Sequence, residues 1–141
     1  MLTISHICLF VRDQDEARDF YIDKLGFELR QDTDVAGFRW LTLSPPDQPE
    51  LELSVVVPEG PALDPQTADQ VRELMAKGVI GGVIFQTDDC RAAYDELKAR
   101  GVEFTEEPNE RPYGIDAAFR DPSGNGFRLV QPLSVAPGST A

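Results

Sequence analysis

The residues of this chain that are best suited to chemistry lie on the polar faces of predicted strands. His6, the only histidine, is turned by strand alternation to the face opposite its apolar neighbour Ile7. Glu52 lies on the polar face of another alternating strand, and Arg128 follows Phe127 on a third. An imidazole, a carboxylate and a guanidinium have no packing role on such faces. They indicate either a cavity that binds a small molecule or holds water, or side chains that are satisfied or solvated and have no role.

Two aromatic residues are further candidates for a ligand site. Trp40 lies on a predicted strand, where it either lines the cavity or packs under a helix. Tyr113 closes the predicted loop over residues 108–113, where it either hydrogen-bonds a ligand at the cavity rim or packs against a turn. The chain has no serine or cysteine nucleophile with a base partner, no phosphate-binding loop and no nucleotide-binding glycine pattern. The function must therefore be inferred from the polar residues on the strand faces.

An internal repeat positions these residues. Residues 4–60 and 80–133 read as two copies of one unit, and each copy has a helix that begins after an aspartate and ends at a glycine. Asp13 and Asp89 are 76 positions apart, whereas Gly26 and Gly101 are 75 apart, so one residue is gained or lost inside the helix. Two small units that each bury one face must pair, and the seam between them is a natural place for a cavity.

Each unit has the order βαβββ, which predicts an α+β fold of two modules joined by a helix that Asp64 caps. One domain is expected over residues 1–133, with module one over about 2–60, the linker helix over about 64–78, module two over about 80–133, and a flexible tail over 134–141. The predicted strands cover residues 2–11, 27–32, 37–43, 50–57, 81–87, 102–107, 115–120 and 126–131, and the second repeat's helix covers 90–100.

The composition disfavours some classes of binding partner. The formal net charge is −12, from 25 acidic and 13 basic residues, which disfavours nucleic acid because binding it depends on neutralising phosphates. The acidic surface either aids solubility or attracts a cationic ligand. No apolar stretch approaches the roughly 20 residues that span a membrane, and Met1 runs directly into strand-like sequence without a secretory leader. We therefore expect a cytoplasmic protein with no membrane partner, whose Cys8 and Cys90 are reduced.

Three segments resemble the vicinal oxygen chelate superfamily, which includes glyoxalase I, bleomycin-resistance proteins and extradiol dioxygenases. They are the opening His6-Ile7-Cys8-Leu9-Phe10-Val11-Arg12-Asp13, the block Phe20-Tyr21…Leu25-Gly26-Phe27-Glu28, and the turn Asp121-Pro122-Ser123-Gly124-Asn125. The resemblance covers about residues 2 to 133. It implies that the two modules form an open cup of curved, mostly antiparallel sheet with helices outside. It also implies that enzymes of this type hold a divalent metal in the cup, with ligands from the first and last strands of each module.

This chain departs from that ligand pattern. His6 and Glu52 stand at the two positions of module one, with Glu50 as an alternative, but the repeat matches them to Gly82 and Arg128 in module two. Glycine has no side chain, and a guanidinium has no lone pair to give to a metal. We therefore expect an incomplete metal site and no cofactor, with Arg128 paired to Glu52 in the metal's place. Binding of a divalent metal remains an alternative if another residue, such as Glu50 or Gln131, supplies a ligand.

These observations predict a glyoxalase/bleomycin-resistance-like small-molecule-binding protein with an incomplete metal site. Its ligand-binding residues would be His6, Trp40, Glu52, Tyr113 and Arg128. The alternative is a metal-dependent lyase, isomerase or dioxygenase that acts on a substrate with adjacent oxygens and uses His6 and Glu52 as ligands; the sequence leaves the choice between binding and catalysis open. The resemblance also implies a homodimer. The acidic and aromatic residues favour a flat, cationic ligand, whereas Arg128 favours an anionic group.

Overall fold

The computed structural model describes residues 1–61 and 63–133. The tail predicted over residues 134–141 lies outside the described residues. The elements, in chain order, are β1 His6–Phe10, α1 Gln14–Asp19 continued by a π-helical segment Phe20–Lys24, β2 Glu28–Val35, β3 Phe38–Ser44, β4 Glu52–Val56, α2 Pro65–Ala76, β5 Ile84–Gln86, α3 Cys90–Ala99, β6 Glu103–Arg111, β7 Gly114–Arg120 and β8 Gly126–Pro132.

The eight strands form two four-stranded sheets with the same topology. The strand order is β1-β4-β3-β2 in module one and β5-β8-β7-β6 in module two. In each sheet the first and last strands of the module pair in parallel, and the other neighbours pair antiparallel. The predicted α+β fold of two βαβββ modules with open, curved sheets is therefore confirmed.

Local sequence signals account for the helix starts. The carboxylates of Asp13 and Asp64 each accept a hydrogen bond of 2.8 Å from the backbone N–H three residues later, as N-caps do. Asp89 caps α3 in the same way, through the N–H of Ala92 at 3.0 Å. Among the described residues, no helix is long and apolar enough to cross a membrane.

The one-residue difference between the repeats has a structural cause. The last turn of the first helix is π-helical over Phe20–Lys24, and the N–H of Leu25 bonds to the carbonyl of Phe20 five residues earlier. A π turn accommodates one extra residue without breaking the helix. The helix of module one can therefore be one residue longer than that of module two while its two ends keep the same places relative to the sheet.

One hydrophobic core joins the modules on the helix side of both sheets. Tyr21 from the π-helical segment is fully buried, and its ring centroid lies 6.3 Å from that of Phe127 in β8. Phe27 meets Phe85 of the other module edge-to-face at 5.8 Å. The opposite side of each sheet carries polar residues, and some of them, including Thr42, Ser54 and Asp116, are also buried.

A buried carboxylate beside this core links the two modules. Asp121, only 4% exposed, accepts hydrogen bonds from the Tyr21 hydroxyl, from the backbone N–H groups of Ser123 and Asn125, and from the Asn125 side chain, all at 2.9–3.0 Å. The Asn125 amide also donates to the carbonyl of Phe10 at 2.7 Å. Burial raises the pKa of Asp121, and it raises the pKa of Tyr21 well above its usual value. The turn over residues 121–125 therefore holds module two against the first strand and the first helix of module one.

Several predicted boundaries were wrong. The segment over residues 108–113, predicted as a loop, mostly belongs to β6, which runs to Arg111 past irregular pairing between Glu106 and Asn109. Proline fits in a strand at such irregularities, so Pro108 does not break it. β1 begins at His6 rather than Leu2, and β5 begins at Ile84 rather than Gly81. Terminal residues of strands are the least determined by local pattern, because pairing decides them.

The link through Asp121 predicts a measurable loss of stability. We expect Tyr21→Phe to lower the free energy of unfolding by about 1.5–3 kcal/mol, because the buried carboxylate loses a hydrogen bond that water cannot replace. Urea unfolding measures the change. Tyr94→Phe is the matched control, since the Tyr94 hydroxyl accepts only an exposed bond from Lys98. Equal effects of the two variants would show that the hydroxyl of Tyr21 does not stabilise the contact between the modules.

Candidate functional site

The polar side of each sheet, opposite the shared core, is here called its open face. On the open face of module one, β1 and β4 pair in register, so that His6 lies directly beside Glu52. The His6 Nε2 and a Glu52 carboxylate oxygen are 3.4 Å apart, and the other Glu52 oxygen accepts a 2.6 Å bond from the Thr42 hydroxyl. The Trp40 ring lies 5.4 Å from the imidazole between centroids. Trp40 therefore lies on the open face and not under a helix.

Two further details of this face point to a ligand or water. The His6 Nδ1 is 2.8 Å from the Ser5 hydroxyl, and the imidazole is about one-third exposed. The hydroxyl of Ser54, in the middle of the sheet, is completely buried and has no hydrogen-bond partner among the described residues. A buried polar group without a partner is uncommon, and a bound molecule is one way to satisfy it.

The open face of module two carries a compact charged cluster. Asp116, whose side chain is 1% exposed, accepts bonds from Arg128 Nε at 2.9 Å, from the Tyr113 hydroxyl at 2.5 Å and from Arg111 Nε at 3.3 Å. Glu106 completes the cluster through ion pairs of 3.1 Å to Arg128 and 3.2 Å to Arg111. The hydrogen bond from Arg128 is the main cause that lowers the pKa of Asp116 to about 2, and those from Tyr113 and Arg111 add to it.

The candidate residues thus fall into two separate groups. His6, Trp40 and Glu52 meet on one face, and Tyr113 and Arg128 meet on the other. Among residues 1–61 and 63–133, no hydrogen bond or ion pair joins the two groups. Asp116, Glu106 and Arg111 also belong to the cluster and were not predicted from the sequence, although an aspartate inside the apolar segment Gly114–Arg120 was a usable signal. A charged residue in such a strand needs a charged partner.

The expected pairing of Arg128 with Glu52 was wrong. Strand pairing shows why: Arg128 lies between Ile84 and Ala118, as Ser54 lies between Cys8 and Thr42. Arg128 therefore matches Ser54 rather than Glu52, and the position that matches Glu52 is Gly126, two residues earlier along the last strand.

The match between His6 and Gly82 stands, and a glycine there has a steric reason. A Cβ atom on Gly82 would lie 1.5 Å from the carbonyl oxygen of Gly126, so no other residue fits without moving the backbone. Both positions of module two that correspond to metal ligands are therefore glycines.

The described residues do not supply the metal site that the resemblance implies. His6 and Glu52 are two donors, whereas catalytic zinc sites commonly offer about three protein ligands. Within the part of the chain that the structure describes, no group of three or more histidine, cysteine, aspartate or glutamate side chains is arranged to hold a metal ion. A single chain thus provides a histidine–carboxylate pair on one face and two arginines paired with two carboxylates on the other.

Comparisons with known proteins identify the family that this chain resembles in sequence and fold. A family model described as Glyoxalase/Bleomycin resistance protein/Dioxygenase superfamily matches residues 3–129. The uncharacterized protein YurT of Bacillus subtilis (strain 168) is 37% identical over 124 residues, which cover 87% of this chain and 94% of YurT. The crystal structure of UcmS2 has 44% identity and a TM-score of 0.89 over 92% of this chain and 98% of UcmS2. TnmS3, an antibiotic binding protein from Streptomyces sp. CB03234, has 31% identity and a TM-score of 0.74 over 94% of this chain and 97% of its own.

The two glycines predict weak metal binding. We expect calorimetric titration with Zn²⁺, Ni²⁺, Mn²⁺ and Fe²⁺ to show no submicromolar site, because Gly82 and Gly126 leave two of the four ligand positions without a side chain. His6→Ala is the diagnostic variant. A submicromolar site in the unaltered protein that disappears in His6→Ala would contradict the expectation and would favour the metal-dependent enzyme.

Proposed function

This chain belongs to the glyoxalase/bleomycin resistance protein/dioxygenase superfamily, and from that premise we propose that it binds a small molecule without a metal-centred reaction. Members of this superfamily bind small molecules, and the neighbour TnmS3 is described as an antibiotic binding protein. The observation that carries the proposal is the pair of glycines at two ligand positions, beside open faces that retain aromatic and polar groups. A face of this kind can recognise a ligand but has too few donors to activate one through a metal.

The ligand site is completed by a second copy of the chain. The two open faces make no direct bonds to each other within one chain, so a cup that uses both needs a partner. β1 and β5 are edge strands with free hydrogen-bonding groups, and apolar side chains beside them are exposed, including Ile84 at 71% and Ile4 at 70%. Edges of this kind favour pairing with another strand. In the proposed homodimer, the open face of module one meets that of module two from the partner.

The charges of the two faces favour a flat or aromatic cation. Arg111 and Arg128 are matched by Asp116 and Glu106, so the cluster on module two has no formal excess of positive charge. Arg128 therefore attracts an anion less strongly than an unpaired arginine would. On module one, Glu52 faces only a histidine and a hydroxyl, and Trp40 offers an aromatic surface. A cation next to an aromatic ring gains about 0.5–2 kcal/mol. An antibiotic-like aromatic amine is the ligand class that fits best.

The alternative function is a metal-dependent lyase, isomerase or dioxygenase. One observation favours it: His6 and Glu52 lie side by side, 3.4 Å apart, at the two ligand positions of module one. A second copy would have to add further donors, because the described residues of one chain provide no complete set.

Ligand selectivity tests the main proposal. We expect fluorescence of Trp40, the only tryptophan, to report tighter binding of aromatic cations than of neutral or anionic aromatics of the same size. Glu52→Gln should weaken cation binding about tenfold, which corresponds to roughly 1.4 kcal/mol of lost attraction. Glu107→Gln, which alters an exposed glutamate on β6, is the control. If anions alone bind, and Arg128→Ala abolishes that binding, the ligand is an anion and Arg128 is its anchor.

The oligomeric state tests the completed cup. Light scattering at micromolar concentration should give about twice the chain mass of 15.6 kDa. Ile84→Lys should shift the protein toward the monomer, because a charge replaces an exposed apolar side chain on an edge strand. Lys77→Arg, a surface change away from the edge strands, should leave the mass unchanged. A clean monomer in the unaltered protein would refute the homodimer.

A further inference from the structure

A cavity of about 840 Å³ lies away from the centres of both open faces. It lies between the modules on their core side, where the strands β1 and β4 begin and the first and third helices end. Only Glu52 belongs both to this cavity and to the candidate site described above. Its apolar walls come from both modules and include Leu25, Phe27 and Leu53 from module one and Phe85, Leu97 and Leu129 from module two.

The size and lining of the cavity are those of a ligand site. Small-molecule pockets generally have volumes of about 300–1,000 Å³ and mostly apolar walls. The cavity is open to solvent, so a ligand that fills it would remove its apolar walls from contact with water. The part of the chain that surrounds it is well formed: Phe27 and Leu53 are buried, and they belong to the shared core.

The charged residues that line the cavity are all acidic. The charged side chains that line the cavity are Asp47, Glu50 and Glu52, and no lysine, arginine or histidine lines it. Glu52 is engaged by His6 and Thr42. Asp47 and Glu50 are exposed and form no ion pair with any described residue. An anionic ligand would be repelled here, whereas a cation would gain from two carboxylates at the edge of an apolar space.

We propose that this inter-module cavity is a separate binding site for an amphipathic cation. The apolar body of the ligand fills the space between the modules, and its ammonium or guanidinium group lies at the mouth beside Asp47 and Glu50. This inference does not depend on the open faces. It holds if they bind a different molecule, and it holds if they bind none.

A matched series of probes tests the ligand class. The probes are 6-phenylhexylammonium, 6-phenylhexanol and 6-phenylhexanoate, which share one apolar body and differ in charge. Calorimetry at low salt should rank the cation first, at least about tenfold tighter than the carboxylate, with the alcohol between them. Amide shifts in NMR spectra should move at Phe85 and Leu97. Equal affinity of the three probes, or no binding at millimolar concentration, would overturn the proposal.

Three variants locate the site. Leu97→Trp should weaken all three probes more than tenfold, because the larger side chain occupies part of the cavity. The double variant Asp47→Asn/Glu50→Gln should bring the cation and the carboxylate to nearly equal affinity without weakening the alcohol; both residues are exposed, so this variant tests the idea even if Leu97→Trp fails to fold. Glu107→Gln, at an exposed glutamate outside the cavity lining, should leave the affinities of all three probes unchanged.

Two results would assign the probes elsewhere. Loss of cation binding in Trp40→Phe, with shifts confined to the open face, would place them in the candidate site and refute a separate one. Ile84, which lies on the proposed dimer edge, also lines the cavity. Binding by the monomer in dilute solution that is lost in the dimer at micromolar concentration would mean that a second copy covers the mouth, which also refutes the proposal. Failure of the aromatic panel at Trp40 bears only on the open faces, so the two proposals can fail independently.

Discussion

The structure depends on a buried carboxylate that two modules share. Asp121 is removed from water, which raises its pKa, and this cost is offset by four hydrogen bonds from Tyr21, Ser123 and Asn125. Tyr21 belongs to module one and the turn belongs to module two. The extra residue in the first helix is accommodated by a π turn in the segment that contains Tyr21. The π turn of module one thus contains Tyr21, the residue that contacts Asp121 of module two.

The contact between the two modules also explains the positions of the polar residues. Since the modules share one core on their helix side, the other side of each sheet must carry whatever is not packed. Module one uses that face for a histidine–glutamate pair beside a tryptophan. Module two uses it for two arginines that two carboxylates neutralise. The two arginines of module two are paired with carboxylates of their own cluster, and among the described residues no hydrogen bond or ion pair joins that cluster to the one on module one.

Much of the fold could be predicted from local patterns, because alternation, aspartate caps and glycine stops act over a few residues. The site was harder to predict. Counting along the helices pairs Glu52 with Arg128, 76 positions later, but the last strands are offset by only 74, as the pairing of Ser54 with Cys8 and of Arg128 with Ile84 shows. A shift of two residues keeps a side chain on the same face, so alternation could not reveal it. The shift places Gly126, instead of Arg128, at the position that corresponds to Glu52.

The sequence alone determined the family resemblance, the repeated module, the faces on which His6, Glu52 and Arg128 lie, and the absence of a ligand at Gly82. These follow from residue type and from periods of two and 3.6, which need no knowledge of distant contacts. Tertiary structure alone decided the partners of Arg128, the burial of Asp121 and Asp116, and the space between the modules. Each of these depends on how strands and helices far apart in the chain are packed against one another, and hydrophobic patterning carries no record of that geometry.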